Sequence, residues 1–285
     1  MPLKRLLFMV LPAWALLLGV NCNHVFEACE PCSSRCKLDP PCQSSQLFVR
    51  KTALHLPRGG VCMNPPLRIV ALGDSITNGV GLAGVSEADT FREVVRRELS
   101  QRLGCKVEVF NAGVNGDVVT LAIKRLQSDV LDRKPHIVTI MFGGNEAGFY
   151  RPEIDGFADT PRVSLDDFRT TLGKIVDRLR AEGILVVLMT CPPMTERYRG
   201  MYLDAYRRNG INFLVNQYAQ AVRDLAAEKR VELIDVYRSF QQDPNTRDYF
   251  PDGLHPNARG HRVIGDLMLR RLIAIIGEQS AILKK

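Results

Sequence analysis

From Leu67 onward the chain alternates short apolar runs with longer amphipathic stretches, and this alternation leaves few folds open. The runs are Arg68–Leu72 (RIVAL), Lys106–Phe110 (KVEVF), His136–Phe142 (HIVTIMF), Ile184–Thr190 (ILVVLMT) and Val231–Val236 (VELIDV). Most are near-continuous and rich in Val and Ile, the pattern of strands covered on both faces. Between them Glu87–Leu103, Val118–Asp132, Leu165–Glu182 and Ile211–Lys229 carry helical spacing, as in Phe168, Leu172, Ile175, Val176 and Leu179. A last helix, Ala258–Ile276, follows the fifth run. Strand then helix, repeated, predicts an α/β chain: a five-stranded parallel sheet with right-handed crossovers and helices on both faces, a three-layer α/β/α sandwich.

In such sheets ligands bind beyond the carboxyl ends of the strands. Beyond the first run stands Gly73-Asp74-Ser75, beyond the second Asn111-Ala112-Gly113-Val114-Asn115-Gly116-Asp117, and beyond the third Gly143-Gly144-Asn145-Glu146. The loop beyond the fifth run, just before the last helix, reads FPDGLHPN, with Asp252 and His255. Each reads as a turn alone, and Asp74 or Ser75 alone reads as a helix cap. Together they supply what acyl transfer to a serine needs. Ser75 can attack, His255 can take its proton, and Asp252 can hold the imidazole. The amides of Ser75 and Gly116 and the side chain of Asn145 can receive the oxyanion. Glycine at 116 suits a backbone that approaches substrate closely, because it has no Cβ.

These residues resemble the SGNH or GDSL-type hydrolases, named for a Ser, Gly, Asn and His in four ordered blocks. GDSIT at Gly73–Thr77 is similar to the first, NAGVNGD at Asn111–Asp117 to the second, GGNE at Gly143–Glu146 to the third and DGLHPN at Asp252–Asn257 to the last. The resemblance spans about Leu67 to Ile276. It implies a flavodoxin-like fold, a catalytic triad of Ser75, Asp252 and His255, and an oxyanion hole of Ser75, Gly116 and Asn145. It also implies a carboxylic ester hydrolase working through an acyl-enzyme without cofactor or metal. Glu146 departs from the family pattern, which usually has Asp there, and bears on that loop's own hydrogen bonds. GGNEAG, VSLDDFRTTL (Val163–Leu172) and TCPP (Thr190–Pro193) are similar to the branch that includes isoamyl-acetate-hydrolysing esterases. A carbohydrate O-acetyl esterase using the same residues is the alternative, and a non-catalytic glycan- or surface-binding module is the alternative outside enzymes.

Other patterns carry less. Gly79 to Gly84 matches G-x-G-x-x-G, but the residues from Gly73 to Asn78 separate it from the strand end, and the second strand ends in Asn111 rather than an acid;. G-x-S-x-G fails because position 77 is Thr;. His261 reads as a helix-face residue, and His24, His55 and His136 have no partners in the motif. No His/Asp/Glu cluster in the domain has metal-ligand spacing. Ala147–Ser164 and Met194–Gly210 are long for connections at this edge and are predicted to wall the substrate pocket. The second holds Arg197, Arg199, Arg207 and Arg208 among Tyr198, Tyr202 and Tyr206, read as solvated charge or as recognition of an anionic or glycan ester;. Substrates in view are small-molecule, glycan or lipid esters.

The N-terminus, MPLKRLLFMVLPAWALLLGV, places Lys4 and Arg5 before an apolar stretch broken by Pro12. This predicts a signal peptide over 1–21 rather than a membrane span, and export to the cell envelope or beyond. Ala13-Trp14-Ala15 offers a cleavage pattern, while Leu-Gly-Val-Asn before Cys22 loosely resembles a lipobox that would put a lipid anchor on Cys22. Six of the eight cysteines, Cys22, Cys29, Cys32, Cys36, Cys42 and Cys62, fall within 22–63, predicting a disulfide-stapled collar;. The spacing Cys29-x2-Cys32-x3-Cys36 also suits a metal. The catalytic domain is expected over 64–278 and a tail over 279–285, with Cys105 and Cys191 as buried thiols. The net charge of +7 includes Lys4 and Arg5 and is otherwise spread along the chain, so no nucleic-acid partner is implied;.

Overall fold

A computed structural model describes residues 66–282. The leader, the lipid-anchor position and the cysteine-rich collar lie outside the described residues. Among the described residues seven strands follow in chain order: β1 Leu67–Gly73, β2 Val107–Gly113, β3 Ile137–Phe142, β4 Tyr150–Arg151, β5 Gly156–Phe157, β6 Leu185–Thr190 and β7 Glu232–Ile234. Five of them form one parallel sheet in the order β2-β1-β3-β6-β7, and β4 and β5 make a separate antiparallel pair. This is the predicted flavodoxin-like α/β/α architecture.

The near-continuous apolar runs make physical sense in this sheet. Every residue of β3 and β6 is buried. Val70, Leu72, Val138, Ile140, Val186 and Leu188 pack on one side with the helices Leu165–Ala181 and Phe213–Lys229. Ile69, Ala71, Ile137, Met141, Val187 and Met189 pack on the other with Phe91–Leu103 and Ala258–Ile282. Alternation along each strand divides its residues between two apolar layers, so neither face can be polar. The edge strand β2 is only partly covered.

Two of the long helices begin where a short hydroxyl side chain offers an acceptor;. Thr90 Oγ1 accepts the Glu93 amide at 3.3 Å, which starts the helix at Phe91 rather than at the predicted Glu87. Ser164 Oγ likewise accepts the Asp167 amide at 3.1 Å.

Four expectations are corrected. Val118–Asp132 is not one helix but a series of short turns, including Val119–Ala122, Ile123–Arg125 and Leu126–Asp129. Arg125 leaves the helical region (φ −106°, ψ 10°) as its guanidinium reaches the Ala112 and Gly73 carbonyls. The fifth strand stops at Ile234 because Asp235 accepts the Arg238 amide and caps a helix, Val236–Gln242, which with Thr246–Tyr249 separates β7 from the last loop. The last helix runs through Gly277 to Ile282, since glycine inside a helix costs only about 1 kcal/mol;. Cys191 is buried, but Cys105 is half-buried, at the turn that leads into β2.

The order of strands reverses around β1, which lies between β2 and β3. A crevice therefore opens beyond the ends of β1 and β3, where consecutive connections run to opposite faces.

Candidate active site

Ser75 sits immediately beyond β1, as the first residue of the one-turn helix Ser75–Asn78. Asp74 ends the strand by turning its Oδ1 onto the Ile76 amide at 2.9 Å. The turn lies flat against the end of β2. A Cβ on Gly113 would come within 2.4 Å of the Asn78 nitrogen and 2.8 Å of the Asp74 carbonyl oxygen, so only glycine lets the two backbones meet;. Arg92, itself 3% exposed, donates to the Thr77 and Asn78 carbonyls at 2.8 Å each and closes the far end of that turn;.

His255 comes from the loop before the last helix. Its Nε2 lies 3.0 Å from Ser75 Oγ and its Nδ1 lies 2.7 Å from Asp252 Oδ2. Asp252 Oδ1 accepts the amides of Leu254 and His255 at 2.9 and 2.7 Å, which fixes the carboxylate before the imidazole is placed. Burial works against this carboxylate's charge, but the His255 side chain and the two amides outweigh it and lower Asp252 to about 2. A carboxylate held ionised at Nδ1 leaves Nε2 free to accept from the serine hydroxyl.

Gly116 has φ +72°, a conformation that side-chain-bearing residues rarely adopt, and the space beside it is open rather than crowded;. Asn145 Nδ2 donates to the Asp117 carbonyl at 2.9 Å and lies 3.5 Å from Asp74 Oδ2, which orients its amide toward the β1 turn. Ser75, Gly116, Asn145 and His255 line one cavity of about 270 Å³, with Asp252 behind the histidine. All five residues singled out from the sequence are brought to one edge of the sheet.

Glu146 is fully buried, and its two oxygens accept the Gly143 amide at 2.8 Å and the Val119 amide at 2.7 Å. The longer side chain thus ties the Asn145 loop to the turn after β2. Burial pushes its carboxyl up to about 7, against the pull of those amides. His261 is buried at 1% exposure, accepts the Phe91 amide and stacks on the Phe91 ring. Burial, then the charge of Arg92, lowers it to about 4, so it is a neutral core residue.

Three arginines escaped the sequence reading. Arg92 grips the Ser75 turn, Arg125 pairs with Asp117 at 2.6 Å while holding the Gly73 carbonyl, and Arg162 Nη1 donates to the Gly116 carbonyl at 2.5 Å. The two long connections do wall the cavity: Tyr150, Pro152 and Arg162 come from the first, Tyr198 and Arg199 from the second. Arg197, Arg207 and Arg208 are absent from that lining, whereas Leu82 of the glycine-rich stretch is in it. Among the described residues no group of three or more His, Cys, Asp or Glu is gathered where it could hold a metal ion, and no helix is long and apolar enough to cross a membrane.

Fold and edge together define an α/β/α hydrolase with its polar residues gathered at the carboxyl ends of the strands. The chain belongs to the GDSL-like lipase/acylhydrolase family, whose model matches residues 71–263, and is a carboxylic ester hydrolase. An acetylxylan esterase of Geobacillus stearothermophilus is 25% identical over 219 residues, covering 72% of this chain and 93% of that protein. The human isoamyl acetate-hydrolyzing esterase 1 homolog is 26% identical, covering 69% and 77%. The uncharacterized lipoprotein YqeF of Bacillus subtilis is 28% identical, covering 69% and 85%. Among solved structures, a lipase/acylhydrolase from Enterococcus faecalis superposes with a TM-score of 0.59 at 26% identity, covering 72% of this chain and 95% of its own.

Proposed function

We propose that the chain is an exported serine esterase that cleaves carboxylic esters through an acyl-enzyme. The observation that carries this reading is the unbroken contact from Ser75 Oγ through His255 to Asp252. In the first half-reaction His255 Nε2 takes the hydroxyl proton as Ser75 Oγ bonds to the ester carbonyl carbon. The negative oxygen is received by the amides of Ser75 and Gly116 and by Asn145 Nδ2. His255 then gives the proton to the departing alkoxide as the ester C–O bond breaks. Water repeats the attack with His255 again as base, releasing the acid and restoring Ser75. Asp252 keeps the imidazole oriented and favours its charged form in both halves.

A cavity of about 270 Å³ suits a short acyl group. A carbohydrate O-acetyl esterase is the second reading, favoured by the aromatic lining of Tyr150 and Tyr198 and by likeness to a protein described as an acetylxylan esterase. Export is supported by the leader over 1–21 and by the likeness to a lipoprotein. In this reading residues 22–63 form a disulfide-bonded collar, 64–278 the catalytic domain and 279–285 a tail.

A fluorophosphonate probe should modify Ser75 in the wild type and leave Ser75→Ala unlabelled. Hydrolysis of p-nitrophenyl acetate should fall by at least about 10³-fold in that variant. Full activity in Ser75→Ala would sink the assignment. Acetate release from acetylated xylan at a kcat/KM above that for p-nitrophenyl acetate would favour the carbohydrate reading. Intact mass of the secreted protein should show six cysteines oxidised, and six free thiols would remove the collar.

A further inference from the structure

The cavity wall carries charge that the reaction as proposed does not use. Two arginines, Arg162 and Arg199, line the cavity, and no Asp or Glu does. Arginines behind the site are matched by carboxylates: Arg92 by Glu87, and Arg125 by Asp117 and Asp129. Arg162 is different. A guanidinium offers five N–H donors, yet among the described residues the side chain's one bond is from Nη1 to the Gly116 carbonyl, with no acidic partner. Its cation therefore stands one peptide unit from the amide proposed to receive the ester oxygen.

Arg199 adds a second cation from the opposite connection. Its guanidinium lies over the Tyr150 ring, 4.3 Å from the centroid, and its carboxylate partner is Asp155 at 3.5 Å. The Asp155 side chain is 80% exposed, so that pair is well solvated and neutralises Arg199 weakly;. Stacking holds the planar group in place at low entropic cost, ready for a planar anion. Tyr150, Tyr198, Leu82 and Leu254 line the same cavity beside the two cations, and the Arg199 side chain, 59% exposed, keeps its charge open to solvent.

We propose that the ester substrate carries a carboxylate a few bonds from its reacting carbonyl, and that Arg162 and Arg199 receive it. The inference rests on the serine-esterase reading above and adds a substrate class to it. The carboxylate can belong to the acyl portion, as in a half-ester of a dicarboxylic acid, or to the alcohol portion, as in an acetylated hydroxy acid or uronic acid. Arg162 then acts twice, anchoring the Gly116 loop and drawing the anion toward it. A substrate bound there leaves its ester beside Ser75 rather than at the mouth.

Two matched pairs test this. The first sets mono-p-nitrophenyl succinate against p-nitrophenyl butyrate, and the second sets O-acetyl-lactate against its methyl ester. Each kcat/KM is divided by the same ester's rate with hydroxide, which removes intrinsic reactivity. The anionic member of at least one pair should be preferred by about tenfold or more, equivalent to about 1.4 kcal/mol, mainly through KM. The preference should shrink at high salt. It should approach unity in Arg162→Gln combined with Arg199→Gln. The ratio is the readout, because a damaged Gly116 loop or a poorly folded variant lowers both rates together. Equal or faster turnover of the neutral member in both pairs overturns the inference, as does a preference that survives the double substitution. Failure to hydrolyse any of the four esters would instead overturn the serine-esterase reading.

Discussion

At the scale of single residues, two buried acids, Asp74 and Glu146, hold the turns that carry Ser75 and Asn145. Asp74 is 3% exposed, and burial pushes its carboxyl up to about 6, opposed by the Ile76 amide and the His255 charge and reinforced by Asp117. Glu146 is raised to about 7. A carboxyl whose pKa rises on folding contributes stability that is complete below its unfolded value and is lost as pH rises through the folded one. The window for this pair runs from about pH 4 to about pH 7, and Asp74 alone corresponds to about 3 kcal/mol. His261, lowered to about 4, acts in the opposite sense over the same range, so the test is a difference: Asp74→Asn, which retains a capping oxygen, should gain stability relative to the wild type as pH rises from about 4 to about 6 in thermal unfolding by circular dichroism;. Superimposable wild-type and variant curves would refute this. Asp252 has the opposite sign, its contribution being present above about pH 4 and lost as pH falls toward about 2;. Ser75, Gly116, Asn145, Asp252 and His255 were legible in the sequence because each sits within a few positions of a strand end or helix start. Arg92, Arg125 and Arg162 were not, because a long side chain reaching a carbonyl 14, 52 or 46 positions away leaves no local spacing to read.

Among the elements, the end of β2 and the Ser75 turn meet backbone against backbone. Gly113→Ala should force them apart and cost about 1–3 kcal/mol, the range for overpacking a filled site;. It should also lower kcat more than KM, since Ser75 and Gly116 flank the junction. Urea unfolding and steady-state kinetics on one preparation would check both, and an unchanged midpoint would show that the strand end can yield. Ser164→Ala removes the cap of Leu165–Ala181 and should cost about 1 kcal/mol with little change in activity;. Arg125→Met leaves the Asp117 carboxylate, 3% exposed, without its cation and should cost about 3–5 kcal/mol in the same assay;. Strands and long helices were readable from periodicity because burial imposes it. The stretch Val118–Asp132 misled because its apolar residues keep helical spacing while Arg125 draws the backbone toward the ends of β1 and β2. The helix Val236–Gln242 was hidden for a related reason: Val231–Val236 continues as a strand by composition, and only the Asp235 cap converts it.

For the whole molecule, three-layer packing was implied by the alternation of runs and stretches, whereas the strand order and the two arginines on the cavity wall needed the folded chain. Both apolar layers share the sheet, so they should be lost together. Fluorophosphonate reactivity and far-ultraviolet ellipticity should therefore disappear at one urea midpoint, and separate midpoints would mean that the edge loops open on their own;. The contact between Ser75 and His255 spans 180 positions of sequence. A chain made only as far as β7 contains Ser75, Gly116 and Asn145 but not His255. Under the mechanism proposed above, such a chain still lacks its base, which comes only with the segment before the last helix.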